Sequence, residues 1–127
     1  MSNETTSDVL SLDHVNILTN DLDACRHFYV EVLNFTEGFR PPFDFPGLWI
    51  YLSDSPVLHF IQTDELQPEN SGTIDHVAFR AKNFDAVVKR LQDNDIDFEH
   101  KSVPDMDLQQ IFCYDPHGIK IEFNFHG

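Results

Sequence analysis

Basic residues are scarce: 8 Lys plus Arg stand against 22 Asp plus Glu in 127 residues, a formal net charge of −14. That balance repels phosphate backbones and anionic membrane surfaces, so neither nucleic acid nor membrane is an expected partner. Cysteine is nearly absent. Cys25 and Cys113 form neither a CxxC nor a metal-finger spacing, which argues against a disulfide framework and for buried reduced thiols. No run approaches the roughly 20 apolar residues of a bilayer span. The opening MSNETTSDVL lacks the basic-then-apolar pattern of a leader, and a cytoplasmic location is the expectation. Apolar residues, by contrast, are plentiful. At 41% hydrophobic and 13% aromatic, with 12 Phe, the chain has enough to form one core, so a single domain over 1–127 is expected.

The chain repeats itself at half its length. IDHVAF at Ile74 to Phe79 echoes LDHVNI at Leu12 to Ile17, sixty-two positions on, and Leu22, Asp23, Ala24 and Cys25 match Phe84, Asp85, Ala86 and Val87 in the same register. A period this long is not that of a solenoid and implies two equivalent supersecondary units. Each opens with alternating apolar residues, Val15 and Ile17 or Val77 and Phe79, which predict a strand. A helix is predicted next, with Asp21 or Asp23 as its cap in the first unit and Asn83 or Asp85 in the second. The stripes Leu22, Cys25, Phe28, Tyr29, Val32 and Phe84, Val87, Val88, Leu91 would cover a sheet. Strands are then predicted near Thr36 to Phe39, Leu48 to Leu52 and Val57 to Gln62, and near Phe98 to Ser102, Gln109 to Tyr114 and Lys120 to Phe125. DPHG at Asp115 to Gly118 suits a type I turn joining the last two. The expected fold is α+β: βαβββ units at 9–62 and 74–126, joined by a linker at 63–73, with mixed sheets forming a cup and the helices outside.

Strand parity isolates the chemistry. If Leu58 and Phe60 face the core, His59 faces away; if Ile121, Phe123 and Phe125 are core, Glu122 faces away. His14 and His76 share that parity in the opening strands. Three imidazoles and a carboxylate at equivalent places in two units would converge in the cup if the units pack as pseudo-twofold mates. Such a set suits Zn, Ni, Fe or Mn. Asn16, Trp49, Tyr51 and Phe112 are expected to wall a substrate pocket. Lys120 and Arg80 fall at its rim, Asp13 and Asp75 read as structural, and His27, His100, His117 and His126 read as solvated.

From LDHVNIL to DPHGIKIEF, nearly the whole chain, the sequence resembles the vicinal oxygen chelate superfamily, which includes glyoxalase I, extradiol dioxygenases, fosfomycin thiol transferases and bleomycin-binding proteins. The resemblance implies metal positions at His14, His76 and Glu122, and places His59 where glyoxalase-like members carry a fourth ligand, often Glu. It further implies a divalent-metal lyase or isomerase acting on a small molecule with vicinal oxygens, Glu122 as its proton-transfer base and a thiol such as glutathione as cofactor. A homodimer is implied as well, the units pairing within one chain or exchanging with a partner. Two enzymatic alternatives stand beside this one, an extradiol-type dioxygenase and a fosfomycin-type thiol transferase. The latter's Ser-rich cation loop is replaced here by VPDMDLQQ. A metal-free drug- or metabolite-binding protein of the bleomycin resistance type is the alternative without catalysis.

Overall fold

The computed structural model describes residues 8, 11–65, 74, 76–103 and 107–127. Most of the linker, with Asp75 and residues 104–106 of the VPDMDLQQ stretch, lies outside the described residues. Two βαβββ units follow one another as expected. The first contains β1 (Val15–Thr19), α1 (Leu22–Arg26), β2 (Thr36–Gly38), β3 (Gly47–Leu52) and β4 (Ser55–Gln62). The second contains β5 (His76–Ala81), α2 (Phe84–Asp93), β6 (Glu99–Val103), β7 (Leu108–Tyr114) and β8 (Lys120–His126). Their sheets have the same order, β1-β4-β3-β2 and β5-β8-β7-β6, with the first pair of each parallel and the rest antiparallel. No helix among the described residues is long and apolar enough to cross a membrane.

The registers bear out the repeat at the level of single residues. His59 lies opposite Asn16, and Glu122 lies opposite Ala78. Asn16 and Ala78 each stand two places after a DHV histidine, so the two units present the same ladder positions. Trp49 faces His59 just as Phe112 faces Glu122. The offset is sixty-two at the first strand and sixty-three at the third and fourth, which puts the one extra residue between β5 and β7.

One face of each sheet is buried. Ile17, Leu48, Ile50, Leu58 and Phe60 join Cys25, Phe28, Tyr29 and Val32 in one cluster with Ile111, Cys113, Ile121, Phe123 and Phe125. A single core thus serves both units. Desolvation pushes the Cys25 thiol up to about 11 and the Cys113 thiol up to about 12, so both are neutral core residues rather than nucleophiles at neutral pH.

Three local differences from the sequence reading have plain causes. The first helix begins on Asp21, whose carboxylate accepts from the Ala24 amide at 3.0 Å, but widens into π-helical turns over His27–Val32. Phe28, Tyr29 and Val32 stay inside across the widened turns. Asn83 stands at the second N-cap without a side-chain bond to the helix, its backbone left-handed at φ 62°. His117 is not solvated. The DPHG turn tucks against the first unit, and His117 Nε2 lies 2.6 Å from the Thr19 hydroxyl.

That turn is the polar latch between the units. Asp115, 5% exposed, accepts the Tyr29 hydroxyl at 2.8 Å on one oxygen and the amides of His117 and Ile119 on the other. Burial first, and then the Asp115 charge, hold the Tyr29 hydroxyl well above its ordinary value, so it donates throughout the neutral range. The expected hairpin closes on the same residue, with the Gly118 amide donating to the Asp115 carbonyl at 3.0 Å and Gly118 at φ 79°.

Candidate metal-binding site

Four donor side chains stand on the open faces as two pairs, one per sheet. In the first unit the His14 and His59 rings stack at 3.8 Å with 11° between planes. Trp49 covers the other face of His59 at 3.9 Å, so His59 is the middle of a three-ring stack. His14 sits one residue before β1, where the chain enters the sheet. Its Nδ1 lies 2.7 Å from Asp13 Oδ1; a carboxylate only accepts, so Nδ1 carries a proton and, in the neutral ring, Nε2 carries the lone pair. On the same reasoning His59 Nε2 donates to the Pro56 carbonyl at 3.0 Å and Nδ1 keeps its lone pair. Burial, followed by the neighbouring His14, pushes the His59 imidazole below the ordinary histidine value, toward the neutral form a metal requires.

The second pair is His76 and Glu122, with Nε2 and Oε1 3.3 Å apart. Glu122 is only 8% exposed, and its two oxygens are treated differently. Oε2 accepts from Asn124 Nδ2 at 2.8 Å and from Gln110 Nε2 at 3.3 Å, while Oε1 points to His76. Gln110 also donates to Asn124 Oδ1 at 3.0 Å, which locks the two amides together. Clamped in this way, the carboxylate has one oxygen committed to the protein and one turned to the imidazole, the kind of outer support that orients a metal-binding or proton-transferring group. Sequence reasoning did not single out Gln110 and Asn124. Their signal was available, since Asn124 has the parity of Glu122 two residues on and Gln110 lies opposite Asn124.

The two pairs do not merge into one cluster within the chain: among the described residues, no three of His, Cys, Asp and Glu gather closely enough to hold a cation. His14 and His59 belong to the first unit, and His76 and Glu122 to the second, whose strands form separate sheets. Convergence of all four inside one chain is not the arrangement seen among the described residues. The donor chemistry itself suits a divalent cation, with lone pairs available on both rings of the first pair and an oxygen of the second turned outward from its clamp.

The four expected pocket residues share these open faces. Asn16 is exposed beside the histidine pair. Trp49 lies in the stack, and Phe43 of the RPPFDFP segment reaches it at 6.4 Å, itself stacked on Phe45 at 5.2 Å. The Arg40 guanidinium sits 5.0 Å from both Phe rings and donates to the Phe45 carbonyl, fixing the loop beside Trp49. Tyr51 is held by its hydroxyl, which donates to the Phe39 carbonyl at 2.6 Å, and its ring lies over Gly38, where a Cβ would stand 2.7 Å from it. Phe112 lies between the ammonium groups of Lys101 and Lys120, at 5.4 and 5.1 Å. His27, His100 and His126 are exposed as expected. His27 bonds Glu31, and His100 bonds Gln109.

Comparison with known proteins agrees with this architecture. The family model described as the Glyoxalase/Bleomycin resistance protein/Dioxygenase superfamily matches residues 11–123. Glyoxylase I 4 of Arabidopsis thaliana is 29% identical over 120 residues, covering 88% of this chain and 68% of that protein. Among solved structures, a glyoxalase/dioxygenase from Nostoc punctiforme superposes with a TM-score of 0.79 at 22% identity, covering 100% of this chain and 98% of the other. An antibiotic binding protein from Streptomyces sp. CB03234 superposes with a TM-score of 0.72 at 20% identity, covering 95% and 99%.

Proposed function

Because the chain belongs to the Glyoxalase/Bleomycin resistance protein/Dioxygenase superfamily, we propose that it is a divalent-metal-dependent, glyoxalase-like lyase or isomerase acting on a small molecule with two neighbouring oxygens. One observation carries the reading: Glu122 is a buried carboxylate whose Oε2 is clamped by two amides while Oε1 faces His76. Burying a carboxylate costs several kcal/mol unless it is paired, on the order of the penalties known for buried ions. The two amides cover Oε2, and a cation at Oε1 would offset the rest of that cost.

His14, His59, His76 and Glu122 are the proposed ligands. A divalent cation there, Zn, Ni, Fe or Mn, would supply Lewis-acid stabilisation of negative charge developing on the substrate's oxygens. The protein's own groups do the rest. Glu122 Oε1 takes a proton from one substrate carbon and returns it to the neighbouring carbon, and the amide clamp on Oε2 keeps the carboxylate in place during both transfers. In the neutral rings, the bonds to Asp13 and to the Pro56 carbonyl leave the lone pair on His14 Nε2 and on His59 Nδ1. Asn16, Trp49, Tyr51 and Phe112 form the walls that orient the substrate and exclude water. A thiol such as glutathione would enter as part of the substrate, and a cytoplasmic setting suits that chemistry and the two reduced thiols.

Two pairs on separate sheets need a second copy to become one site. In the proposed homodimer, His14 and His59 of one protomer face His76 and Glu122 of the other, giving two equivalent sites related by the twofold axis. The stacked Trp49, His59 and His14 rings also favour a second reading, a metal-free binder of a drug or metabolite; the Streptomyces protein of similar fold is an antibiotic binding protein. The extradiol and thiol-transferase branches remain further enzymatic outcomes. A screen of metal-loaded protein distinguishes them. Turnover of α-ketothiol hemithioacetals that stops on chelation is the expected result. Catechol cleavage after anaerobic iron loading would reassign the branch, and ligand binding indifferent to chelation, without turnover, would replace the enzyme by the binder.

A further inference from the structure

A cleft of about 380 Å³ opens between the segment that follows the first helix and the N-terminal half of the second helix. None of the four proposed metal ligands lines it. Its floor is apolar: Phe35 and Phe79 meet edge to face at 5.3 Å, and Phe79 stacks on Phe123 at 6.1 Å. Its rim is cationic. Lys82 and Arg90 line it, with Arg80 on the adjoining strand, and no Asp or Glu among the described residues does. In a chain with 8 Lys plus Arg against 22 Asp plus Glu, gathering these bases at one cavity leaves a local charge, among the described residues, opposite to that of the whole molecule.

These bases differ from Arg26 and Lys89. Arg26 is tied to Asp23 and Glu37, and Lys89 to Asp93. Arg80, Lys82 and Arg90 make no ion pair with any carboxylate among the described residues. The second helix, ten residues long, adds its own field, since Asn83 and Ala86 of its first turn line the cleft and no side chain caps its N-terminus. An apolar floor under an unpaired cationic rim is complementary to one kind of ligand. We infer that this cleft binds an amphipathic monoanion, a carboxylate or sulfonate on an apolar body, at a site separate from the His and Glu pairs. The apolar body buries against Phe35, Phe79 and Phe123, and the anionic head meets the guanidinium and ammonium groups at the rim. The cavity is of the size that takes small organic ligands, about 300 Å³ or more.

Decanoate, decanol and decylamine share one chain and differ in head charge, so titrating each into the wild-type protein while recording amide chemical shifts separates charge from apolar burial. Saturable decanoate binding is expected, with shifts at Asn34, Ala86 and Val87, and affinity about tenfold or more above that for decanol or decylamine. In the Lys82→Gln, Arg90→Gln double variant the decanoate preference over decanol should vanish. Ala86→Trp, which fills the cleft from an exposed helix position, should block both ligands while leaving the remaining amide shifts in place. Equal affinity for decanoate and decanol, unchanged decanoate binding in the double variant, no saturable binding, or shifts centred on His76 and Glu122 would each overturn the assignment.

Discussion

Glu122→Gln is expected to lower hemithioacetal turnover about a thousandfold, within the range typical of a lost general base, while leaving the protein at least as stable as the wild type. The two halves of that expectation follow from the same geometry. The glutamine carbonyl takes the place of Oε2 and still accepts from Asn124 and Gln110, and its amide meets His76 Nε2, which accepts when neutral. Folding therefore loses no hydrogen bond and sheds the cost of a buried charge. What disappears is the proton acceptor and one anionic metal ligand. Kinetics and thermal unfolding of the same sample check this. A structural role for Glu122 would show the reverse, a lower melting temperature with activity falling only in proportion to the folded fraction.

Asp115→Ala should destabilise the fold by about 3–4 kcal/mol, the size expected when several buried donors lose one charged acceptor. Three donors are stranded at once: the Tyr29 hydroxyl and the amides of His117 and Ile119. The turn that they shape also carries His117 to Thr19, so the damage falls on the joint between units and not on either sheet alone. Asp115→Asn keeps an oxygen for the two amides, and the tyrosine hydroxyl can turn to accept from the new amide. Its cost should be about 1–2 kcal/mol, as for a single altered hydrogen bond. Urea denaturation of the two variants at a common slope measures the difference. Equal, small effects would mean that the apolar core alone joins the units.

Much of this was legible in the sequence because strands and repeats leave local marks. The DHV motifs at His14 and His76 gave the period, and the alternation around Leu58 and Ile121 gave the faces of His59 and Glu122. The structure places those residues at equivalent ladder positions, opposite Asn16 and Ala78. Long-range packing leaves no such mark. Thr19 and His117, and Tyr29 and Asp115, meet only because the last hairpin folds back on the first unit, so His117 read as a solvated turn residue. Likewise, parity says which way Glu122 points but not how one sheet sits against the other. The division of the donors into two pairs was therefore not written in any single strand. The π-helical turns over His27–Val32 have the apolar spacing of an ordinary helix, so nothing in the sequence marks them.

The dimeric site is tested most directly by mixing two inactive variants, His14→Ala with His59→Ala in one chain and His76→Ala with Glu122→Ala in the other. Each alone should bind no metal at the site. After subunit exchange, half of the dimers are mixed and each holds one intact site of two, so metal content and turnover should return to about a quarter of the wild-type level. Activity that stays at zero in a mixture shown to contain mixed dimers would contradict the account, because donors supplied by a single chain cannot complement one another.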